Sequence, residues 1–559
     1  MTPEELRALI AQGESLTTEF KSDRGPLSDT DLLETVVCLA NAQGGRLLIG
    51  VEDDGTVSGL HSKHQNWSGL ATFIASRTVP PLNVQVTGVE LATGLVVVIE
   101  IPSAQQPVAT SDGRMLVRYR DVHTSPGCRP LYPHELTGWY ADRGQRDYTA
   151  QPMMACSWDD LDPLEIERLR RMVGIYRGDQ TLLRLDDKQL AHALNLVKPT
   201  DRHLVPTVAG LLLVGREEVL RETLPAHEVA FQVLEGREVR VNEFYRWPLL
   251  HIFERVVDSF EIRNEELELN IGLFRVGVPS YDPRAFREAV NNALTHRDYT
   301  RLGAVHIQMR SDHIQVSNPG GFVQGVTIDN ILVAGPRPRN PLLADIFKRI
   351  GLVERTGRGV SIIYEGLLRT GRMPPDYSRT TEAHVTLILP GGPGDLDFVS
   401  LIVREENRRQ EPFSVEELLI LSLLWREREV DISDVVRLIQ QDEIAARRVL
   451  ERLVESGLAE AHGHTRSRRY HLSALVYREM GEPAAYVHRR GFDRLQMEQM
   501  ILEYVRAHKR ITRREVMGLC RVSGNQANYL LRLLTEAGQI VQVGKGRNTY
   551  YISPKAEQK

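Results

Sequence analysis

Two stretches near the C-terminus repeat one another: "VLERLVESGLAEAHGHTRSRRYHLS" at 449–473 and "LLRLLTEAGQIVQVGKGRNTYYIS" at 530–553. Such a repeat restricts the fold more than any composition does, because both copies must solve one packing problem with the same elements. In each, apolar residues at helical spacing end at a glycine, Gly457 or Gly538, where a helix can terminate. A short strand, a basic turn and a second strand follow. Shorter helical stretches lie ahead, "VEELLILSLLWR" and "ISDVVRLIQ" in the first copy, "QMEQMILEYVRAHK" and "TRREVMGLCR" in the second. Each copy is therefore expected to be a complete module of three helices and a hairpin, over 408–478 and 490–555.

Three helices closed by a hairpin make a winged helix-turn-helix. On that reading "DEIAARRVLERL" and "SGNQANYLLRLL" are recognition helices, and the wing cations Arg466, Arg468, Arg469, Lys545 and Arg547 contact phosphates. The same module also serves as a dimerisation or protein-docking element, so the pattern leaves that use open. A formal net charge of −5 predicts no general attraction to nucleic acid, and binding must come from such local basic patches.

At 559 residues the chain is several times the usual domain length, and 26% of it is charged. One core will not hold it. The start "MTPEELRALIAQGES" has neither a basic beginning nor an apolar targeting segment, and no apolar run is long enough to cross a bilayer. A cytoplasmic protein with no membrane partner is expected. The four cysteines, Cys38, Cys128, Cys156 and Cys520, are too scattered for a disulfide framework or a zinc ribbon, and read as reduced thiols. Residues 1–145 read as one α+β unit, 146–275 as an α/β connecting scaffold without nameable chemistry, and 276–395 as a second α+β unit. "GGPGDLD" after it reads as a linker.

"FREAVNNALTHRDY" sets Glu288, Asn292 and His296 four residues apart, on one face of one helix. A carboxylate, an amide and an imidazole so aligned suit a place where a magnesium ion meets phosphates. Downstream, "VSNPGGF" puts Asn318, Gly320 and Gly321 directly after a strand, and "ERTGRGV" puts Gly357 and Gly359 at the mouth of a helix. Glycines let backbone N–H groups approach an anion, and a helix N-terminus adds a favourable dipole. This order resembles the ATP-binding domain of the GHKL class shared by gyrase, histidine kinases and MutL, most closely a bacterial RecG-like branch. The resemblance implies an α/β-sandwich domain that binds ATP with Mg²⁺ or Mn²⁺. Asn292 would hold the metal, Glu288 would orient or deprotonate water, Asn318 would meet the adenine amine, and His296 and the glycines would line the site. The wider class carries aspartate where Asn318 stands; the amide can accept the same hydrogen bond without the charge.

Near the N-terminus, "ESLTTEFK" offers Glu14, Glu19 and Lys21, and "GGRLLIGVEDDGTVSG" ends a buried strand in Glu52, Asp53 and Asp54. Two carboxylates in water bind a divalent ion weakly, so a third acid must come from elsewhere. The pair of segments resembles the Schlafen/AlbA-type domain over 13 to about 125. Schlafen-core ribonucleases imply Glu14, Glu19 and Asp53 as ligands of a divalent ion and Lys21 beside them, a constellation that cleaves phosphodiesters. The residues also permit a plainer reading: Glu19 and Lys21 pair with each other, and Asp53-Asp54-Gly55 is a turn. Arg118 and Arg120, after "MLV", are candidate phosphate contacts on either reading.

The expected protein is thus an α+β multidomain chain: a Schlafen/AlbA-like domain, a GHKL-type ATPase domain and two winged helices. It either cuts RNA or DNA under ATP control, acting in stress or antiviral defence, or binds DNA and regulates transcription without cutting. The GHKL resemblance implies a homodimer or larger assembly, the dimer favoured, whose shape depends on ATP.

Overall fold

The computed structural model describes residues 1–119, 126–201, 203–271, 274–353, 358–427, 429–463, 468–473, 476, 494–520, 524–544 and 549–554. It divides into two compact units: Met1–Ser400 with Ile439–Gln441, and Leu401–Leu438 with Asp442–Lys559. Among the described residues no helix is long and apolar enough to cross a membrane.

The first unit begins with helix Pro3–Gln12, whose start is fixed by a reciprocal cap between Thr2 and Glu5. A four-stranded sheet follows in the order Thr18–Lys21, Gly45–Ile49, Gly94–Ile101, Gln85–Leu91. The first pair is parallel and is bridged by helix Asp29–Ala40; the others are antiparallel. The apolar run "GLVVVIEI" arises because both faces of its strand are covered. Val97, Ile99 and Ile101 join Val36, Val37 and Leu39 in one core, while Val96 and Val98 join Leu6, Phe20 and Leu48 in the other. Gly45 launches the second strand with φ +143°, and a Cβ there would lie 2.2 Å from the Thr17 carbonyl oxygen, so only glycine fits.

Cys38 and Cys128 form a disulfide with Cα atoms 5.9 Å apart, which corrects the expectation of four reduced thiols. They lie 90 residues apart in sequence. Spacing rules detect local clusters, and here the strand Gly127–Pro130 returns to helix Asp29–Ala40 only through tertiary packing. Cys156 and Cys520 are free and buried.

A five-stranded sheet forms the centre of the next part, in the order Glu238–Tyr245, Val229–Glu235, Val305–Met309, His313–Pro319, His384–Pro390. The boundary expected at 275 therefore falls inside one sheet. Val229–Glu235 pairs in parallel with Val305–Met309, a contact between strands about 75 residues apart that local composition cannot register. Helices Leu249–Glu261, Pro283–His296 and Gly359–Arg369 pack together beside this sheet. The "GGPGDLD" segment is held in place rather than loose: Gly371 and Asp395 pair through their backbones, and Gly394 (φ +66°) sits where a Cβ would meet the Thr370 carbonyl oxygen at 2.2 Å.

In the second unit both copies of the repeat fold with one order of elements. The first runs Val415–Glu427, Glu429–Val430, Ile432–Ile439, Glu443–Glu455, Ala459–His462, Arg469–Leu472. The second runs Arg494–His508, Arg510–Ile511, Arg513–Cys520, Gly524–Glu536, Val541–Val543, Tyr550–Ile552. Each closes three helices with a three-stranded sheet whose last strand is central. Gly457 (φ +77°) and Gly538 (φ +67°) stop the third helices in the left-handed conformation the sequence required.

Candidate nucleotide site and the N-terminal acidic residues

Helix Pro283–His296 starts on an Asp282 cap and keeps Ala285, Phe286, Ala289, Val290 and Ala293 buried. Glu288, Asn292 and His296 all line a cavity of about 200 Å³ between this helix, the strand ends and the segment 321–338. Asn318, Gly321 and Gly359 line it too, so residues from three separated motifs converge on one cavity. Glu288 is only 5% exposed. A Cβ on Gly359 would fall 2.0 Å from the Glu288 Oε1 and 2.9 Å from its Cδ, so any larger residue here would make the carboxylate shift. Among the described residues no side chain caps the helix Gly359–Arg369, which leaves its first amides available to an anion. Burial, and then the charge of Arg339, press the His296 imidazole down to about pKa 4, so it stands neutral at physiological pH.

The donors fit a nucleotide with a divalent ion: an amide and a carboxylate, uncapped helix amides, and the cavity-lining cations Arg337 and Lys348. Gly357 lies outside the described residues. Gly320 is not part of the cavity wall, contrary to expectation. At φ +94° it packs where a Cβ would meet Asp298 Cβ at 2.9 Å and Arg339 Cζ at 3.1 Å, and its amide donates to the Ala383 carbonyl at 2.7 Å.

Around it lies a lock built on Arg339, Asp142 and Asn340, which the sequence left unassigned. Arg339, 1% exposed, pairs with Asp142 and donates to the Gly321 carbonyl at 2.6 Å. Asn340 donates to the carbonyls of Thr295 and Arg297, both at 2.8 Å, and so caps the end of the Glu288 helix. Arg297 donates to the Gly303 carbonyl at 2.6 Å, a structural helix end. The dense "PRPRNP" run was the available signal, since arginines between prolines in an apolar setting need internal acceptors. Burial raises the Asp142 carboxyl to about pKa 6 despite Arg339.

The N-terminal acids are arranged differently from the expected metal site. Glu19 meets Lys21 Nζ at 2.8 Å through Oε1 and Arg118 at 2.5 Å through Oε2. Burial pushes its carboxyl up, but these two cations outweigh that and hold it below the ordinary range. Glu14 accepts from the Phe20 amide at 2.9 Å. Its carboxyl is raised, by burial first and by the neighbouring Glu19 charge, against the Phe20 hydrogen bond. Asp53 is exposed in a turn closed by Gly55 N–H to the Glu52 carbonyl, and Asp54 accepts from Thr56 N–H at 2.8 Å. Among the described residues, Glu14, Glu19 and Asp53 do not place three ligand atoms within 4.8 Å of one another. The expected trio of metal ligands is thus not assembled. Lys21 and Arg118 already supply the countercharge that an ion would supply.

Arg118 is corrected as well: at 2% exposure, and donating to the Ser15 carbonyl at 3.1 Å, it cannot reach a phosphate. Arg120, Arg466, Lys545 and Arg547 lie outside the described residues. Arg468 lies over the Tyr470 ring at 5.3 Å, and Arg469 pairs with Asp431 at 2.9 Å, which leaves Arg469 less free for a phosphate than expected.

Residues 14–125 match the family described as "Schlafen, AlbA_2", and residues 303–389 match "Putative ATP-dependent DNA helicase recG C-terminal". Residues 139–230 match a domain of unknown function. The helix carrying Glu288, Asn292 and His296 precedes the second of these spans. No curated protein matches the chain. Among solved structures, the DIP2311 protein from Corynebacterium diphtheriae is 22% identical over 98% of each chain, with a TM-score of 0.49. The N-terminal domain of a "Putative ATP-dependent DNA Helicase RecG-related Protein" from Nitrosomonas europaea is 22% identical over 24% of this chain and 97% of that one, with a TM-score of 0.19. The chain carries a Schlafen AlbA_2 domain at its N-terminus and, further along, an ATPase-type domain of the RecG C-terminal kind.

Proposed function

We propose that this protein is an ATP-binding regulator that engages nucleic acid without cutting it. The reading rests above all on the cavity where Glu288, Asn292, His296, Asn318, Gly321 and Gly359 meet. Asn292 would hold Mg²⁺ with Glu288 close by, the Gly359 helix start and Lys348 would face the phosphates, and Asn318 would meet the base. The ion, when bound, neutralises phosphate charge. The neutral His296 adds no cation of its own. Regulation without cleavage accords with the N-terminal acids, two of which are already engaged by protein partners while the third sits in an exposed turn. The described matches, one of them to a DNA helicase C-terminal family, accord with a nucleic-acid partner. The paired modules of the second unit are proposed as winged helices that make that contact.

The test is binding of a fluorescent ATP analogue with Mg²⁺, where Asn292→Ala is expected to weaken affinity at least tenfold, about 1.4 kcal/mol. Unchanged affinity would remove the nucleotide site. Sedimentation with a non-hydrolysable analogue is expected to show a dimer that the free protein lacks. One observation favours a second reading, a divalent-metal nuclease: Glu14 lies close enough to Glu19 to feel its charge. Incubation of tRNA, single strands and duplexes with Mn²⁺ separates the two. Intact substrates support regulation, whereas cleavage abolished by Glu19→Ala would establish the nuclease.

A further inference from the structure

We propose that the hairpin of the first repeat copy holds a transition-metal ion of the zinc class through Glu460, His462 and His471. The strand register sets Glu460 directly opposite His471, and His462 follows two residues later on the same face. One ligand atom from each lies within 4.8 Å of the others, the only such group among the described residues. The two imidazoles are parallel, with centroids 4.4 Å apart and planes 3° from coincidence. Among the described residues the Nε2 of His462 is covered and has no hydrogen bond, although the side chain is 43% exposed overall, and Glu460 Oε2 stands 3.9 Å from it. A buried ring nitrogen in that position is costly unless something binds it.

The second copy supplies the internal control. Matched by strand register, Glu460 opposite His471 corresponds to Gln542 opposite Tyr551, and Gly544 follows two residues after Gln542 where His462 follows Glu460. The same hairpin therefore closes with no carboxylate or imidazole at these places. The fold does not ask for a carboxylate and two imidazoles; the first copy has them for another reason. The neighbouring cation is turned aside, because Arg469 is drawn to Asp431 at 2.9 Å and Glu429 at 3.8 Å on the other edge of the sheet. Two imidazoles and one carboxylate favour zinc-like ions over Mg²⁺, and three protein ligands leave a position for water. A bound ion would clamp the two arms of the hairpin at the root of its basic turn.

The experiment titrates the full chain, with any purification tag removed, with Zn²⁺ by calorimetry and with Co²⁺ as a visible-absorption probe. One equivalent per chain is expected, undisturbed by excess Mg²⁺. The triple variant Glu460→Gln, His462→Val, His471→Tyr removes all three ligands, and is expected to lose that equivalent while its circular dichroism stays unchanged. Should it misfold, His462→Val alone is expected to abolish the Co²⁺ absorption. A wild-type chain that binds no Zn²⁺, or variants that keep the equivalent, would reduce the cluster to a stacked pair of rings and overturn the proposal.

Discussion

At the scale of single residues, Gly359 and His227 make the sharpest claims. Alanine at 359 would drive a Cβ to 2.0 Å from Glu288 Oε1, so either the carboxylate or the helix start must move. Gly359→Ala is expected to weaken nucleotide binding about tenfold, ~1.4 kcal/mol, in the same fluorescence titration, and an unchanged affinity would deny the close approach a role. His227 is 2% exposed, with Nε2 2.6 Å from the Trp247 carbonyl, and burial takes its pKa from 6.5 to about 4. Its folded form resists the proton that the unfolded chain accepts, so stability present above pH 6.5 is lost as pH falls towards 4, by roughly 3 kcal/mol. His296 acts with the same sign. Asp142, raised to about 6, acts oppositely, since its contribution is full below its ordinary value of 3.8 and lost as pH rises through 6. His227→Gln is therefore expected to flatten the acid limb of a denaturant-stability profile between pH 7 and 4, and a parallel limb would contradict the assignment. The helix face Glu288–Asn292–His296 was legible because its spacing is local. Arg118 was not, because "MLVRYR" looks the same whether its arginine turns to water or, as here, to Glu19.

At the scale of elements, what could be read were segments whose signals are local, and what could not were their pairings. The repeat announced its helices and hairpins through two glycines and one apolar period. The strand Val229–Glu235 looked like scaffold because its partner at Val305–Met309 lies far along the chain. Cys38 and Cys128 show the same limit, for only the docking of strand Gly127–Pro130 on helix Asp29–Ala40 brings them together. A cross-link closing 90 residues restricts the unfolded chain substantially. By loop-closure entropy it stabilises by up to about 4.6 kcal/mol, less where the reduced chain keeps structure. Cys128 is exposed and open to a reductant, while Cys38 is fully buried. Dithiothreitol or Cys38→Ala with Cys128→Ala is thus expected to lower the first unfolding transition, and thiol counting without reductant should find two groups in the denatured chain. Four groups and an unmoved transition would refute the cross-link.

At the scale of the whole molecule, charge decides how nucleic acid can be held. The chain's formal net charge of −5 repels a polyanion at long range, so attraction must be confined to short basic segments and to the distance over which salt leaves them unscreened. The cations of the proposed wings are the candidates, and Arg469 is largely occupied by Asp431. That leaves Arg466, Arg468, Lys545 and Arg547 to meet phosphates. Each phosphate neutralised on duplex DNA contributes a slope of about −0.9 in log affinity against log salt, so the whole protein should show one no steeper than about −4. Replacing Lys545 and Arg547 by glutamine should make it shallower by about 2 while leaving nucleotide binding intact, which separates the two activities by a measurement neither shares. A slope well beyond that bound, or one unmoved by the substitutions, would mean that the polyanion lies on a surface other than the wings.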